Sequence, residues 1–244
     1  MRLFGLIGHP LTQSFSKSFF TRKFEKDGLG DCRYELFPLT SLESLPGLIK
    51  LNPQLEGLNV TVPYKQEVLP YLDTVDNIPS TLNACNCIRI VNGMLHGFNT
   101  DHFAFEKSIS PHLQPQHRKA IVLGNGGAAA AVLFVLKKLG IETSIVSRQL
   151  HEGSTHTYAD LNEKLIHEHL LIINTTPVGM YPNNDECPAI PYNFITRKHL
   201  LFDLVYNPSK TLFLQQGEEQ GATIMNGQEM LELQAEESWR IWNS

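Results

Sequence analysis

The chain has 244 residues, a formal net charge of −5, and 42% hydrophobic and 18% charged residues, the balance of a water-soluble globular protein with room for two modest domains. The slight acidity removes any general electrostatic reason to bind nucleic acid or an anionic membrane. The longest apolar stretch, AAAAVLFVL, falls short of the ~20 residues that a membrane-spanning helix needs.

The opening MRLFGLIGHP reads as a strand rather than a secretion signal, so a cytoplasmic protein is expected. After it, GHPLTQSFS sets Ser14 and Ser16 where a strand ends and a helix starts near Lys17. Either hydroxyl can cap that helix or hold a ligand. CRYELFPL is the next predicted strand. In GLNVTVPYKQEV, Leu58, Val60 and Val62 alternate with Asn59 and Thr61, the pattern of a strand with one buried face. Pro63 ends it, and Tyr64 to Leu69 read as a helix. Lys65 then falls in a first turn, where the helix macrodipole disfavours a cation. A residue that breaks a local rule is a candidate for function. NACNCI holds Asn86, and GFNTDHF holds Asn99, Thr100 and Asp101. Each also has an ordinary reading, the asparagines as turn residues and Asp101 as a helix N-cap.

ISPHLQPQHR, with two prolines and no apolar periodicity, places a domain junction within residues 100–118. Beyond it, AIVLGNGGAAAAVLFVLKKLG combines a buried strand over Ala120 to Leu123, a turn with Gly124, Gly126 and Gly127, and a helix from about Ala128 to Leu139. Such a turn lets a pyrophosphate approach backbone N–H groups at a helix N-terminus, the fingerprint of a dinucleotide site. About 20 residues on, an acid would suit the ribose of NAD. The chain instead offers Ser147, Arg148 and Gln149, and an arginine fork suits the 2′-phosphate of NADP. ETSIVSR, LLIINTT and LLFDLVY are further predicted strands, so the whole alternates strand and helix in the manner of an α/β protein. In GQEMLELQAEESWRIW, Met230, Leu231, Leu233, Ala235, Trp239 and Trp242 recur at roughly helical spacing, with Asn226 and Glu229 as a candidate capping box. Gln234 lies on that helix and on its own reads as a boundary or solvated position. Cys32 and Cys187 stand alone, Cys85 and Cys87 form a C-x-C without a second pair, and His167 and His169 are two apart. None of these has metal-site spacing, and no metal is expected.

Six segments in this order, NVTVPYK, NTD, GNGGA, NTTPVGM, DLVYNP and GQEMLELQA, resemble the shikimate dehydrogenase family across nearly the whole chain. The resemblance implies two α/β domains. One is an open-sheet substrate domain over 1–105, completed by the C-terminal helix 226–244, and the other is a Rossmann-type NADP-binding domain over 106–225. It implies NADPH-dependent, reversible reduction of 3-dehydroshikimate to shikimate, a step toward chorismate and the aromatic amino acids. Lys65 and Asp101 would form the catalytic pair. Ser14 and Ser16 would hold the substrate carboxylate with Tyr206 nearby, and Thr61, Asn86 and Gln234 would grip hydroxyls. Gly124, Gly126, Gly127 and Ala128 would face the pyrophosphate, and Ser147 and Arg148 the 2′-phosphate. Thr175, Met180, Leu204 and Gly227 would line the nicotinamide region. The implied partner is a small-molecule substrate, with no nucleic acid or membrane, in a monomer or homodimer. The alternatives are a quinate/shikimate dehydrogenase with relaxed substrate or NAD use, which Arg148 opposes, and a non-catalytic cofactor-binding homologue, which Lys65 and Asp101 oppose. The chain departs from the family pattern at Lys17, usually proline, at Gln13, commonly histidine, and at Cys85 and Cys87 around Asn86.

Overall fold

The computed structural model describes residues 1–11, 14–150 and 152–244, without the side chains at 76 and 77; Gln13 therefore lies outside the described residues. The chain divides into two compact units, Met1–Ala104 with Glu232–Ser244, and Phe105–Leu231. The second division falls inside the last helix rather than at 225/226. The first turn of that helix is tied to the second unit, where the Gly227 N–H donates to the Val205 carbonyl at 3.2 Å.

The first unit contains strands β1 (Arg2–Gly8), β2 (Cys32–Pro38), β3 (Leu55–Val60), β4 (Thr74–Asn77), β5 (Cys87–Val91) and β6 (Met94–Phe98). Helices α1 (Phe15–Lys26), α2 (Leu45–Leu51) and α3 (Tyr64–Glu67) lie between them, and α4 (Asp101–Ile109) follows. The six strands form one sheet in the order β2-β1-β3-β5-β6-β4. Its first three strands are parallel, whereas β5 runs antiparallel to both neighbours. The β5–β6 hairpin turns on Asn92 and Gly93, both at positive φ (52° and 81°), the conformation that an Asn-Gly turn supplies. β3 stops at Val60, so Val62 does not continue its buried face and is 70% exposed. The helix expected from Tyr64 to Leu69 is one α-helical turn followed by a 3₁₀ turn over Leu69–Tyr71. Tyr64 anchors it, being buried and donating its hydroxyl to the Leu39 carbonyl at 2.6 Å. The aromatic part of the core joins Phe4, Phe20, Phe24, Tyr34 and Trp242, with Phe20 stacked on Tyr34 and Phe4 on Trp242. Buried aromatics of this size dominate the energetics of a small core.

The second unit contains β7 (Lys119–Leu123), β8 (Glu142–Ser147), β9 (His156–Thr157), β10 (Leu171–Asn174), β11 (Leu200–Asp203) and β12 (Thr223–Met225). Its helices are α5 (Gly127–Lys138), α6 (Glu163–Glu168) and α7 (Leu212–Glu219), and α8 (Gln228–Trp242) returns to the first unit. All six strands are parallel, in the order β12-β11-β10-β7-β8-β9. The strand order therefore reverses between β7 and β10, the doubly wound arrangement whose ligand crevice lies beyond the carboxyl ends of the strands at that switch point. β7, β10 and β11 are almost wholly apolar and buried, as strands covered on both faces must be. Among the described residues no helix is long and apolar enough to cross a membrane.

Candidate functional site

In the first unit, Lys65, Asp101, Asn86 and Gln234 come together through hydrogen bonds. Lys65 Nζ lies 2.6 Å from Asp101 Oδ2, with the lysine side chain 21% exposed and the carboxylate 7%. The other carboxylate oxygen, Oδ1, accepts from Asn86 Nδ2 at 2.9 Å, and the same amide reaches Thr100 Oγ1 at 3.0 Å and Gln234 Oε1 at 3.4 Å. Asn86 Oδ1 accepts from the Thr100 N–H at 2.7 Å. Asn86 is thus a hub rather than a turn residue. Asp101 is not the N-cap considered for it: Thr100, whose carbonyl receives the Ala104 N–H, holds that position, and Asn99 Oδ1 accepts from the Asp101 and His102 N–H groups. Asp101 is instead the first residue of α4, where the helix dipole favours an anion. The backbone holds the pair in place because the Cys85 N–H donates to the Lys65 carbonyl at 2.7 Å. With α3 a single turn, the macrodipole at Lys65 is small, and the carboxylate is what meets the ammonium.

Thr61 follows β3, half-buried, with its N–H on the Ile7 carbonyl and no partner for its hydroxyl among the described residues. Ser14 caps α1 by accepting from the Lys17 N–H at 3.3 Å, so its capping role is real. Lys17, in place of the usual proline, pairs with Glu35 at 2.7 Å on the neighbouring strand. Ser16 is half-buried. Tyr34 and Ser238 have no counterpart in the motif reading. Burial pushes the Tyr34 phenol up, and it donates to Asn59 Oδ1 at 2.9 Å. Asn59 Nδ2 in turn donates to Ser238 Oγ at 2.9 Å and to the Asn86 carbonyl at 3.3 Å. Asn59 therefore binds α8 to the sheet instead of sharing an open face with Thr61. An asparagine inside an apolar strand was the available signal, since a buried amide must find partners. Burial also pushes the Cys85 thiol up to about 12, leaving it an inert neighbour of the cluster.

In the second unit, Gly124, Gly126, Gly127 and Ala128 form the turn between β7 and α5. Gly124 has φ +100°, and a Cβ there would lie 2.8 Å from Thr175 Oγ1, so a side chain is excluded twice over. A Cβ at Gly126 or Gly127 would meet nothing within 4 Å. Internal packing does not require glycine at those two positions, whereas close approach by an outside group would. Gly126 caps α5 without a side-chain bond, which leaves the N–H groups of its first turn as donors for an anion. Ser147 ends β8 buried, its hydroxyl donating to the Gln149 carbonyl at 2.6 Å, and Arg148 follows it exposed. Thr175 bridges the switch point by donating to the Leu123 carbonyl at 2.7 Å. Leu204 is half-buried after β11, and a Cβ at Gly227 would run into its carbonyl, so only glycine fits there. Met180 is 44% exposed. Tyr206 is half-buried in the same unit, where burial raises its pKa. A glycine cradle, free helix donors and an arginine with no acid beside it fit a phosphorylated dinucleotide of the NADP kind. Among the described residues no group of three His, Cys, Asp or Glu side chains could hold a metal ion.

Residues 6–88 match the model of the shikimate dehydrogenase substrate binding domain. The NADP(+)-dependent shikimate dehydrogenase of Clostridium beijerinckii is 36% identical over 99% of this chain and 92% of its own. A crystal structure of shikimate 5-dehydrogenase from Thermus thermophilus, in complex with NADP(H) and shikimate, superposes with a TM-score of 0.85 at 31% identity, covering 99% of this chain and 93% of that one. A quinate dehydrogenase from Corynebacterium glutamicum in complex with NAD is also similar, with a TM-score of 0.86 at 26% identity, covering 99% and 93% of the two chains.

Proposed function

The chain belongs to the shikimate dehydrogenase family, and from that membership we propose that its first unit binds shikimate, its second binds NADP, and Lys65 and Asp101 are the catalytic pair. The reaction is the reversible reduction of the 3-dehydroshikimate ketone to the shikimate hydroxyl, consuming NADPH and one proton in that direction. The observation that carries the residue assignment is the Lys65–Asp101 contact of 2.6 Å, built into the Asn86 and Gln234 cluster. NADPH, when bound, supplies the hydride. The rest of the demand falls on the chain. A ketone that accepts hydride develops alkoxide charge and needs a proton donor within hydrogen-bond reach. The Lys65 ammonium gives that proton, and in the oxidative direction the neutral amine takes the hydroxyl proton back. Asp101 orients the ammonium and balances its charge, while Asn86 holds Asp101 from the other oxygen.

Thr61, Asn86 and Gln234 grip the substrate hydroxyls, and Ser14 and Ser16 take its carboxylate. Neutral hydroxyl and amide grips make a selective site, because an analogue lacking an oxygen leaves a buried polar group unpaired. On the cofactor side, Gly124, Gly126, Gly127 and Ala128 take the pyrophosphate. Ser147 and Arg148 take the 2′-phosphate, and Thr175, Met180, Leu204 and Gly227 flank the nicotinamide end. The test mixes the purified chain with shikimate or quinate and with NADP⁺ or NAD⁺, and follows absorbance of the reduced nicotinamide. Turnover is expected mainly with shikimate and NADP⁺, about tenfold or more above any other pair in kcat/KM. Equal or faster turnover with quinate and NAD⁺ would contradict the assignment.

A further inference from the structure

At the carboxyl end of β11 sits a carboxylate with no place in the chemistry above. Asp203 is wholly buried. Its Oδ2 accepts from Thr211 Oγ1 at 2.6 Å, and its Oδ1 accepts from the Val205 N–H and from Asn174 Nδ2, both at 3.0 Å. Asn174 is its register partner on β10, and each bonded group belongs to a different piece of backbone. Asn174 Oδ1 accepts from the Thr176 N–H and hydroxyl at 3.0 and 2.6 Å, shaping the turn that carries Thr175. Thr211 is the N-cap of α7, its Oγ1 accepting from the Leu214 N–H. A Cβ built on Gly179 would lie 3.6 Å from the Thr211 Cβ, so the Met180 turn packs on the same threonine. Val205 continues directly from Leu204, and its carbonyl receives the Gly227 N–H. Two carboxylate oxygens therefore tie together the segments that carry Thr175, Met180, Leu204 and Gly227.

A carboxylate is a costly choice for a purely structural knot. Burial pushes its pKa from 3.8 up to about 6 even with three donors to hold it. An apolar pair of matching shape would meet the packing need without charge. What the anion supplies is simultaneous acceptance from three donors on three segments at fixed angles. We propose that Asp203 is a positioning residue for the nicotinamide end of the cofactor site, setting the turns after β10 and β11 through Asn174, Thr211 and the Val205 N–H. This rests on the reading that NADP binds at the switch point.

The experiment measures three quantities for wild type, Asp203→Ala and Asp203→Asn: NADPH affinity by fluorescence titration, kcat with saturating shikimate and NADP⁺, and the melting temperature. The glycine turn and Arg148 are not among the Asp203 partners, so NADPH affinity in Asp203→Ala is expected to stay within about threefold. Misplacing reacting groups by an ångström costs up to about 10²-fold in rate, and kcat is expected to fall by about 10-fold or more. Asparagine keeps one accepting oxygen for Val205 and Asn174, and Asp203→Asn should recover part of that loss. Should Asp203→Ala fail to fold, a lowered kcat in Asp203→Asn with unchanged NADPH affinity supports the inference equally. Undiminished kcat in both variants would overturn it. So would affinity, kcat and melting temperature falling in proportion, the mark of a scaffold residue. A wild-type chain that binds no NADPH would instead overturn the functional reading beneath it.

Discussion

Arg148 stands exposed at the carboxyl end of β8, between Ser147 and Gln149, with no acid beside it. A charge-assisted bond to a phosphate is worth ~1.5–3 kcal/mol, about a factor of ten per 1.4 kcal/mol. Arg148→Ala is therefore expected to raise KM for NADP⁺ by about tenfold or more and to leave KM for NAD⁺ within about twofold. Equal changes for both cofactors would mean that Arg148 does not read the 2′-phosphate. That inference needs only one residue and its neighbours, and it is legible in sequence. Lys65 is harder. Its place at a helix start makes it conspicuous, but α3 is too short for the dipole to matter much. The partner that does matter, Asp101, is 36 residues away. Asn86 likewise reads locally as a turn residue, and its bonds to Thr100, Asp101 and Gln234 exist only once three segments have converged. Local spacing carries residue type and backbone preference; it does not carry convergence.

Helix α8 shows both sides of this at the scale of an element. Its apolar spacing predicts the helix that forms, but the expected capping box does not form: Asn226 Oδ1 accepts from the Gln228 N–H rather than that of Glu229, and Gly227, whose carbonyl receives the Leu231 N–H, holds the N-cap position. The spacing cannot reveal that Ser238, wholly buried, receives Asn59 from β3. Nor can it show that Trp242 donates to the Ile88 carbonyl at 3.0 Å while packing on Phe4 and Phe20. Trp242→Ala removes a large buried ring and leaves that carbonyl without its donor, a loss of about 3–5 kcal/mol. Urea denaturation should register it as a lowered midpoint, and shikimate affinity should fall with it, because Gln234 rides on the same helix. A midpoint unchanged within error would mean that α8 is not held by its tryptophan. The β5–β6 hairpin is not among the predicted elements, although Asn92-Gly93 between apolar runs is a strong turn signal. β9, two residues paired to the end of β8, is too short for any periodicity to announce it.

The second unit gives the molecule a pH signature with two opposing parts. His117, His169 and His199 come just before β7, β10 and β11, and burial lowers the pKa of each from 6.5. His117 and His199 each accept a backbone N–H at Nδ1, at 3.1 and 3.0 Å, so a second ring proton would oppose that donor. A histidine with depressed pKa contributes no loss above its unfolded value and destabilises progressively as pH falls below it. Stability is therefore expected to decline from about pH 6.5 downward. Asp203 acts in the other direction. Its pKa is raised from 3.8 to about 6, so its ionisation costs stability increasingly as pH rises through that window. The cost reaches about 3 kcal/mol at pH 8 and about half that at pH 5. Asp203→Asn should thus be the more stable protein at pH 8 by chemical denaturation, with the gain shrinking toward pH 5. A gain independent of pH would contradict the assigned ionisation. Both effects depend on burial, which composition and periodicity place only roughly.

The most direct test of the central claim, that Lys65 carries the proton in catalysis, is kcat of Lys65→Ala with shikimate and NADP⁺ alongside the shikimate dissociation constant. Loss of a positioned general acid–base group predicts a fall of about 10²–10⁴-fold in kcat, with shikimate affinity changed by less than about tenfold. A variant that turns over within about twofold of the wild-type rate would contradict it.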